Sequence, residues 1–440
     1  QDTLIHELHN LLLLKENCHT YVHCLKELTS PKIARHNFLK AKSYLIRERI
    51  HDVSMHGDIL LYVQKVASIL FKCIQRTGEE FKDIFQETRD MSAFTQWILQ
   101  ELTQFAQLFK NQVFSCSSFS TIANCLSFVF KQCHSLEEAG ISVAFRLEQI
   151  LKDDIISSII DLHQKIDLEV RRELVNEHWN GSDATFLFFP PEVNPDEVRP
   201  VVLSLSPSCK TFFSLIINMC IDIAVIQTEA VHDVFMDTLC GLIEEYLALM
   251  FEQSKNKQLN DKRFLTIISN VNGIKDHLLT WIISNFSFHF KRRLTKLTIL
   301  SESITRLHSK LCEKFCRSRS KFIIEQEIQW DVYPGSQLAS ITSQDLSETV
   351  SRPFRQYFGF LQKLQSLILN LRFGYVFMEE ITRNLHSQMV SQLKENGIIW
   401  KRLTFAVQQS TNDTDSMSST HSDAQQWNYE NPMANQMILD

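Results

Sequence analysis

Glycine and proline are both scarce in this chain, whose 440 residues include 10 glycines and 9 prolines. Typical proteins contain about 7% glycine and about 5% proline, so each is present at less than half its usual level. Because both residues interrupt helices, their scarcity predicts long helices. It also leaves few positions for the glycine-rich loops that bind phosphate groups.

The sequence also lacks the short motifs of common enzymes. It contains neither a G-x-S-x-G nucleophile elbow nor an H-E-x-x-H zinc motif. Carboxylate pairs such as Glu79-Glu80 and Asp153-Asp154 are interpreted as solvated helix faces. We therefore expect no catalytic residues, no cofactor-binding residues, no cofactor and no enzyme activity.

Strong net charge and paired cysteines are missing as well. The formal net charge is -6, which gives no reason to expect nucleic acid as a partner. The 11 cysteines include no C-x-x-C pair, which indicates reduced thiols and a cytoplasmic protein. No signal peptide is visible and residue 1 is Gln, so we expect a piece of a longer protein. The most apolar run, Phe212 to Ile226, includes Asp222 and predicts no transmembrane segment.

Prolines mark the expected domain boundaries. Five of them fall at positions 190, 191, 195, 200 and 207. Because proline disfavours helix at its own position and at the one before it, residues 190–207 are predicted to be an extended linker. It would join a first helical bundle region, 1–189, to a second, 208–407. A further break is expected from about Trp330 to Asp345, and the polar tail 408–440 is predicted to be disordered.

Apolar residues recur at helical spacing within both regions. One stripe consists of Phe119, Ile122, Leu126, Val129 and Cys133, and another of Leu151, Ile155, Ile159, Leu162 and Ile166. Ser135 and Glu138 have the spacing of a capping box, which predicts that a helix begins there. No sustained alternation predicts a strand. The fold class is therefore expected to be all-α, an elongated rod of consecutive helical bundles.

One cluster near the N-terminus has metal-like spacing. His19 and His23 are four residues apart on one helix face, a spacing that can bind zinc, and Cys18 and Cys24 flank them. A structural zinc site needs four ligands, and the two cysteines point away from that face. We interpret these residues as partly exposed histidines and core cysteines, and expect no metal. Cys312 and Cys316 are likewise interpreted as two buried thiols on one helix.

The strongest local charge lies between residues 291 and 321, where ten Lys/Arg and two Glu give a formal charge of +8. One helical stripe in this segment is basic: Arg306, Lys310, Lys314, Arg317 and Lys321. The opposite stripe is apolar: Leu300, Ile304, Leu307, Leu311, Phe315 and Phe322. Two interpretations stay open. The basic stripe is either an ordinary solvated helix face or a contact for anionic lipid or an acidic partner.

A resemblance adds to this picture. Its residues are Lys110-x-x-Val113-Phe114, Ala123 with Cys125, Cys133-His134-x-Leu136-Glu137-x-x-Gly140, and Leu151-x-x-Asp154-Ile155. Leu45-x-Arg47-x-Arg49 and Leu60-Leu61-Tyr62-Val63-x-Lys65 precede them in the same order. Together they resemble the C-terminal region of the exocyst complex component 8 family, most clearly over 45–165. Similarity over 200–300 is diffuse, and over 353–400 it is faint.

The resemblance implies a helical rod in a complex that tethers secretory vesicles to the plasma membrane before fusion. It implies other exocyst subunits as partners, with small GTPases or anionic lipids as indirect ones. It also implies a cytoplasmic protein recruited to the plasma membrane or to secretory vesicles. No functional residue carries over, because the matched positions are mostly packing positions. The alternatives are a scaffold subunit of another tethering complex and a peripheral protein that binds anionic lipid.

Overall fold

The computed structural model describes residues 19–28, 30–54, 57–85, 91–115, 118–188, 200–226, 229–256, 259–290, 294–327 and 352–395. The predicted break at 330–345 and the predicted disordered tail at 408–440 lie outside these residues. So does Cys18.

Helices make up almost all of the described chain. In order they are α1 (His19–Leu28), α2 (Pro31–His51), α3 (Ile59–Ile84), α4 (Met91–Phe109), α5 (Phe119–Glu138), α6 (Ala144–Val175), α7 (Pro207–Ile226), α8 (Glu229–Gln253), α9 (Asp261–Gly273), α10 (Leu279–Phe290), α11 (Thr295–Phe322), α12 (Arg352–Asn370) and α13 (Tyr375–Glu395). Short π-helical turns extend three of them, at Lys110–Phe114, Ile274–Leu278 and Ile323–Glu327. A small hairpin, β1 (Ser182–Phe186) and β2 (Val201–Leu205), lies between α6 and α7.

The helices pack in succession along the molecule. The first four pack on one another, and α3 then lies against α5 and α4 against α6. Next, α5 packs on α7, α6 on α8, α8 on α11 and α11 on α13. The buried apolar side chains of the described residues form one continuous core. This arrangement confirms the predicted fold class, an all-α rod of consecutive helical bundles.

The apolar stripes read from the sequence line this core. All five members of the α5 stripe are buried. In the α6 stripe, Leu162 is half-buried and the other four members are buried. Burial of this kind stabilises a side chain by about 1.5–3 kcal/mol relative to exposure, so the stripes account for the positions of both helices.

The predicted capping box is wrong. Ser135 and Glu138 both lie inside α5, which continues to Glu138, and the next helix begins only at Ala144. α5 instead begins after Ser118, whose hydroxyl accepts a hydrogen bond from the N–H of Thr121 at 3.3 Å. Beyond its end, Gly140 has a φ of 82°, a left-handed conformation that favours glycine. Ser135 and Glu138 have the spacing of a capping box, but both lie within a helix rather than at the start of one.

The hairpin occupies part of the predicted linker. β1 and β2 are antiparallel, with Ser182 opposite Leu205 and Phe186 opposite Val201. β2 packs against α9, where the hydroxyl of Ser269 donates to the carbonyl of Ser204 at 2.8 Å. The division into regions 1–189 and 208–407 stays a prediction, but helices of both regions pack directly on each other.

A buried polar junction fastens β2 and the start of α7 to the core. The N–H of Ser206 donates to Asn270 Oδ1 at 3.0 Å, and Asn270 Nδ2 donates to Ser206 Oγ at 2.9 Å. The N–H of Ser208 donates to Glu177 at 2.9 Å, and its hydroxyl pairs with that of Tyr246 at 3.1 Å. Because unpaired buried polar groups are costly, this mutual pairing fixes the geometry of the junction.

One helix of the described chain, α7, is long and apolar enough to cross a membrane by length and composition alone. Half of its most apolar window is buried inside the protein, where α7 packs against α5 and α6. Ordinary core helices share this character. The absence of a transmembrane segment stays a prediction.

Candidate functional surface on the basic helix

α11 is amphipathic, and its apolar side lies in the core. Leu300, Ile304, Leu311 and Phe315 are buried, and Leu307 and Phe322 are half-buried. The apolar stripe predicted for this segment is thereby confirmed. Because residues three and four positions apart share a helix face, burial of this stripe turns the basic stripe towards the surface.

The structure brings four of the five predicted site residues together. Lys310, Lys314, Arg317 and Lys321 line one shallow, open depression of about 440 Å³. Glu313, Ser318 and Gln392 complete its lining. Gln392 comes from α13, and its amide donates to the carbonyl of Arg317 at 3.2 Å. The fifth residue, Arg306, lies one turn before Lys310 and outside the depression.

Lys314 differs from its neighbours because it has a structural partner. Its ammonium donates to the carbonyl of Ser254 at 2.8 Å and lies 3.3 Å from the hydroxyl of the same residue. Ser254 directly follows α8, so Lys314 satisfies a carbonyl at a helix C-terminus. Burial lowers the pKa of Lys314 from its ordinary value, and the ammonium of Lys255 lowers it further. Lys314 therefore supports the depression and also ties α11 to α8.

The exposed basic side chains differ in how far they are neutralised. Arg306 pairs with Glu302 at 3.4 Å within α11, and Lys321 lies 3.8 Å from Glu325 one turn on. Exposed pairs of this kind contribute little, about 0–1 kcal/mol. Neither Lys310 nor Arg317 forms an ion pair with any residue that the structure describes.

Two other cations of the basic segment have structural roles. Arg319 pairs with Asp261 at the start of α9 and stacks on the ring of Phe322, 4.8 Å from its centroid. Burial raises the pKa of Asp261, and the guanidinium opposes that shift. Lys296 pairs with Asp237 of α8. The formal charge of the segment thus overstates the charge that its surface offers to a ligand.

The depression contains one residue that the sequence could not have indicated. Gln392 is 75 residues from Arg317 along the chain, and only the packing of α13 on α11 brings it there. No spacing rule within one helix predicts such a neighbour.

The N-terminal cluster shows no metal-like geometry in the part of the chain described here. His23 and Cys24 are both exposed, so the interpretation of Cys24 as a core cysteine is wrong. No group of three or more His, Cys, Asp or Glu among the described residues has the proximity needed to hold a metal ion.

Cys312 and Cys316 are buried free thiols, as predicted. Burial raises the pKa of each to about 12, so both stay protonated and unreactive near neutral pH.

The residues that carry the resemblance are mostly packing residues. Val113, Ala123, Cys125, Cys133 and Leu136 are all buried. Two charged members of the pattern also meet in space.

Lys110, in the π-helical turn after α4, forms an ion pair with Asp154 of α6 at 2.7 Å. Each of these side chains is about one-third exposed. Asp154 is therefore not simply solvated, and neither is Glu80, which pairs with the buried Lys42 at 2.5 Å.

Fold and surface together define a helical scaffold with a basic surface depression. Comparison with known proteins shows that part of the chain is similar to a known family: residues 1–144 match the family model described as Exocyst component 84 C-terminal. Exocyst complex component 8 of Xenopus laevis is 32% identical over 124 residues, 28% of this chain and 18% of that protein. The human protein is 27% identical over 145 residues, 32% of this chain and 20% of its own length.

Exocyst complex component EXO84 of Cryptococcus neoformans is 28% identical over 149 residues, 33% of this chain and 22% of that protein. The chain therefore spans about a fifth of the length of the curated relatives it matches. These matches confirm the resemblance to the exocyst component 8 family, which is carried by the first third of the chain. The fainter similarity beyond residue 165 stays a prediction.

Proposed function

We propose that this chain is a non-enzymatic part of an exocyst subunit that tethers secretory vesicles to the plasma membrane before fusion. The observation that carries the proposal is the match of residues 1–144 to the exocyst component 84 C-terminal family. The all-α fold of the described residues also supports the proposal. A rod of helical bundles can hold several partners at a distance, and such a role requires no reactive group.

The test is copurification of the full chain, in its natural protein, from cells at near-physiological salt. We expect the other exocyst subunits to be recovered with it. Recovery of the subunits of a different tethering complex would overturn the proposal in favour of its main alternative. Recovery of neither would overturn both.

The matched segment also presents a surface on which to test subunit contacts. Ile33 and Tyr44 are 50% and 48% exposed. They are eleven residues apart on α2, about three helical turns, so they share one face. Large exposed apolar side chains on one face mark candidate protein contacts. We expect Ile33→Ser with Tyr44→Ser to reduce recovery of exocyst subunits.

A control with the same number of substitutions lies outside residues 1–144. Leu168 and Val175 of α6 are 71% and 84% exposed and are seven residues apart, again on one face. Leu168→Ser with Val175→Ser changes the same number of exposed apolar side chains. Equal loss of subunits from both double variants would contradict a specific role for the α2 face.

A further inference from the structure

The depression on α11 has the size of a ligand site without the usual apolar lining. Its volume of about 440 Å³ falls within the range of about 300–1,000 Å³ that is common for small-molecule sites. Such sites are normally lined by hydrophobic and aromatic side chains. Here every lining residue is polar or charged. A ligand that fits this chemistry is itself highly polar.

The charge of the lining determines the sign of that ligand. Four cations and the single carboxylate of Glu313 give the depression a formal net charge of +3. Lys310 and Arg317, the two lining cations whose side chains form neither an ion pair nor a hydrogen bond with the described residues, lie two turns apart on one face. Arg317 adds a planar fork of donors that matches phosphate oxygens, and Lys310 adds a compact positive charge.

The same lining argues against a folded acidic protein as the occupant. Protein interfaces derive most of their affinity from buried aromatic and apolar anchors surrounded by a polar rim. No aromatic or aliphatic residue lines the depression to receive such an anchor. A small group that carries several negative charges needs no such wall.

An exposed aliphatic residue on the same face of α11 favours a membrane as the source of that group. Ile299 is 63% exposed. It precedes Arg317 by five complete helical turns, so the two share one angular position about 27 Å apart. A single soluble ligand in the depression does not reach Ile299, whereas a membrane surface can contact both.

We propose that the depression lined by Lys310, Arg317 and Lys321 binds the multiply phosphorylated headgroup of an anionic membrane lipid. Lys314 is not counted among the binding residues, because its ammonium is already held by the carbonyl of Ser254. This inference does not depend on the exocyst assignment, since it rests on α11 and the residues packed around it.

The test is sedimentation of the full chain with phosphatidylcholine vesicles that contain phosphatidylinositol bisphosphate. The test variant combines Lys310→Gln, Arg317→Gln and Lys321→Gln and leaves Lys314 in place. Each basic residue near an anionic surface contributes roughly a factor of five to affinity. We therefore expect vesicle binding to weaken about 100-fold.

A matched control is available on α6. Lys152, Lys165 and Arg172 are exposed, so their replacement by Gln makes the same change in net charge and in residue types. We expect this variant to bind vesicles as the unchanged protein does. Equal weakening in both triple variants would overturn the site, because binding would then follow overall charge. Far-ultraviolet circular dichroism verifies that all three proteins are folded.

Three further comparisons test the class of ligand. Vesicles with phosphatidylserine at equal total charge are expected to bind more weakly, and equal binding would overturn the preference for a multiply phosphorylated headgroup. Soluble inositol phosphate is expected to compete with vesicles. If it binds while the vesicles do not, the membrane source is wrong. If only a polyglutamate peptide binds, and binding is lost in the α11 variant, the ligand is an acidic protein segment instead.

Discussion

The buried polar junction predicts that replacing Asn270 by leucine weakens the attachment of the hairpin to the core. Asn270 is completely buried, and its side chain both accepts from the N–H of Ser206 and donates to the hydroxyl of the same residue. Leucine has the same branched arrangement of side-chain heavy atoms, so Asn270→Leu removes the two hydrogen bonds without opening a cavity, although its methyl groups need somewhat more room. The lost hydrogen bonds and the unpaired donor are then the main cost of the substitution.

The size of the effect depends on which hydrogen bonds Ser206 retains after the substitution. Its hydroxyl retains Ser208 Oγ at 3.2 Å and the N–H of Cys209 at 3.4 Å. Its own N–H loses the one partner it has among the described residues. An unsatisfied buried donor costs about 1–3 kcal/mol, and the second lost hydrogen bond adds about 1 kcal/mol. We expect local opening of the junction to become easier by about 2–4 kcal/mol.

Hydrogen–deuterium exchange followed by mass spectrometry measures this opening directly. A destabilisation of 2–4 kcal/mol corresponds to exchange that is about 30- to 900-fold faster. The acceleration should be confined to peptides from residues 200–210 and from α9. Asn260→Ala is the matched control, because Asn260 is the exposed N-cap of α9 and accepts from the N–H of Arg263 at 2.9 Å. Its loss costs about 1 kcal/mol at the helix start and should leave β2 unchanged.

Unchanged exchange in β2 would refute the reasoning. It would mean that residues 201–206 move independently of α9. Such movement is what the extended linker predicted from the proline cluster would show. The same experiment therefore distinguishes an integrated hairpin from a linker between two regions.

Three other predictions test the core, the charged pair and a buried histidine. Leu126→Ala truncates a completely buried side chain of α5, so we expect a loss of about 2–5 kcal/mol in chemical denaturation, and a loss below 1 kcal/mol would contradict its core position. Because Lys110 and Asp154 are each about one-third exposed, a double-mutant cycle with Lys110→Ala and Asp154→Ala should give a coupling of only about 1 kcal/mol. Burial, together with nearby Lys275, lowers the pKa of His308 to about 4, and Asp276 opposes the shift. The unfolded chain binds more protons there below about pH 6.5, so stability should fall by roughly 3 kcal/mol as pH drops from 6.5 to 4, and His308→Phe should flatten this dependence in acid denaturation.

Local patterns predicted the helices well because burial follows the helical repeat. The stripes on α5, α6 and α11 could be read from spacing alone, since a side chain every three or four residues must face one direction. The capping box failed because Ser135 and Glu138 have the required spacing but both lie in the last turn of α5, which begins at Phe119. Spacing cannot show whether the backbone has already entered a helix.

The hairpin could not be predicted from its own residues. The two strands are only five residues each, and neither shows a clear alternation of buried and exposed positions. They are stabilised by partners 64 and 65 residues away, Asn270 and Ser269, through side-chain hydrogen bonds. The same limit applies to the candidate site. Its four cations share one helix and could be grouped from sequence, whereas Gln392 arrives from another helix.

The family match and the physical unit do not have the same boundary. The match ends at residue 144, where α6 is just beginning. Yet Lys110, inside the match, pairs with Asp154 beyond it, and Leu147, Leu151 and Ile155 of α6 are completely buried. α5 also packs on α7, which lies further beyond the match. A chain cut after residue 144 would thus expose the core face of α5 to water. The matched third depends on the rest of the chain for its stability, so tests of its partners require the full chain.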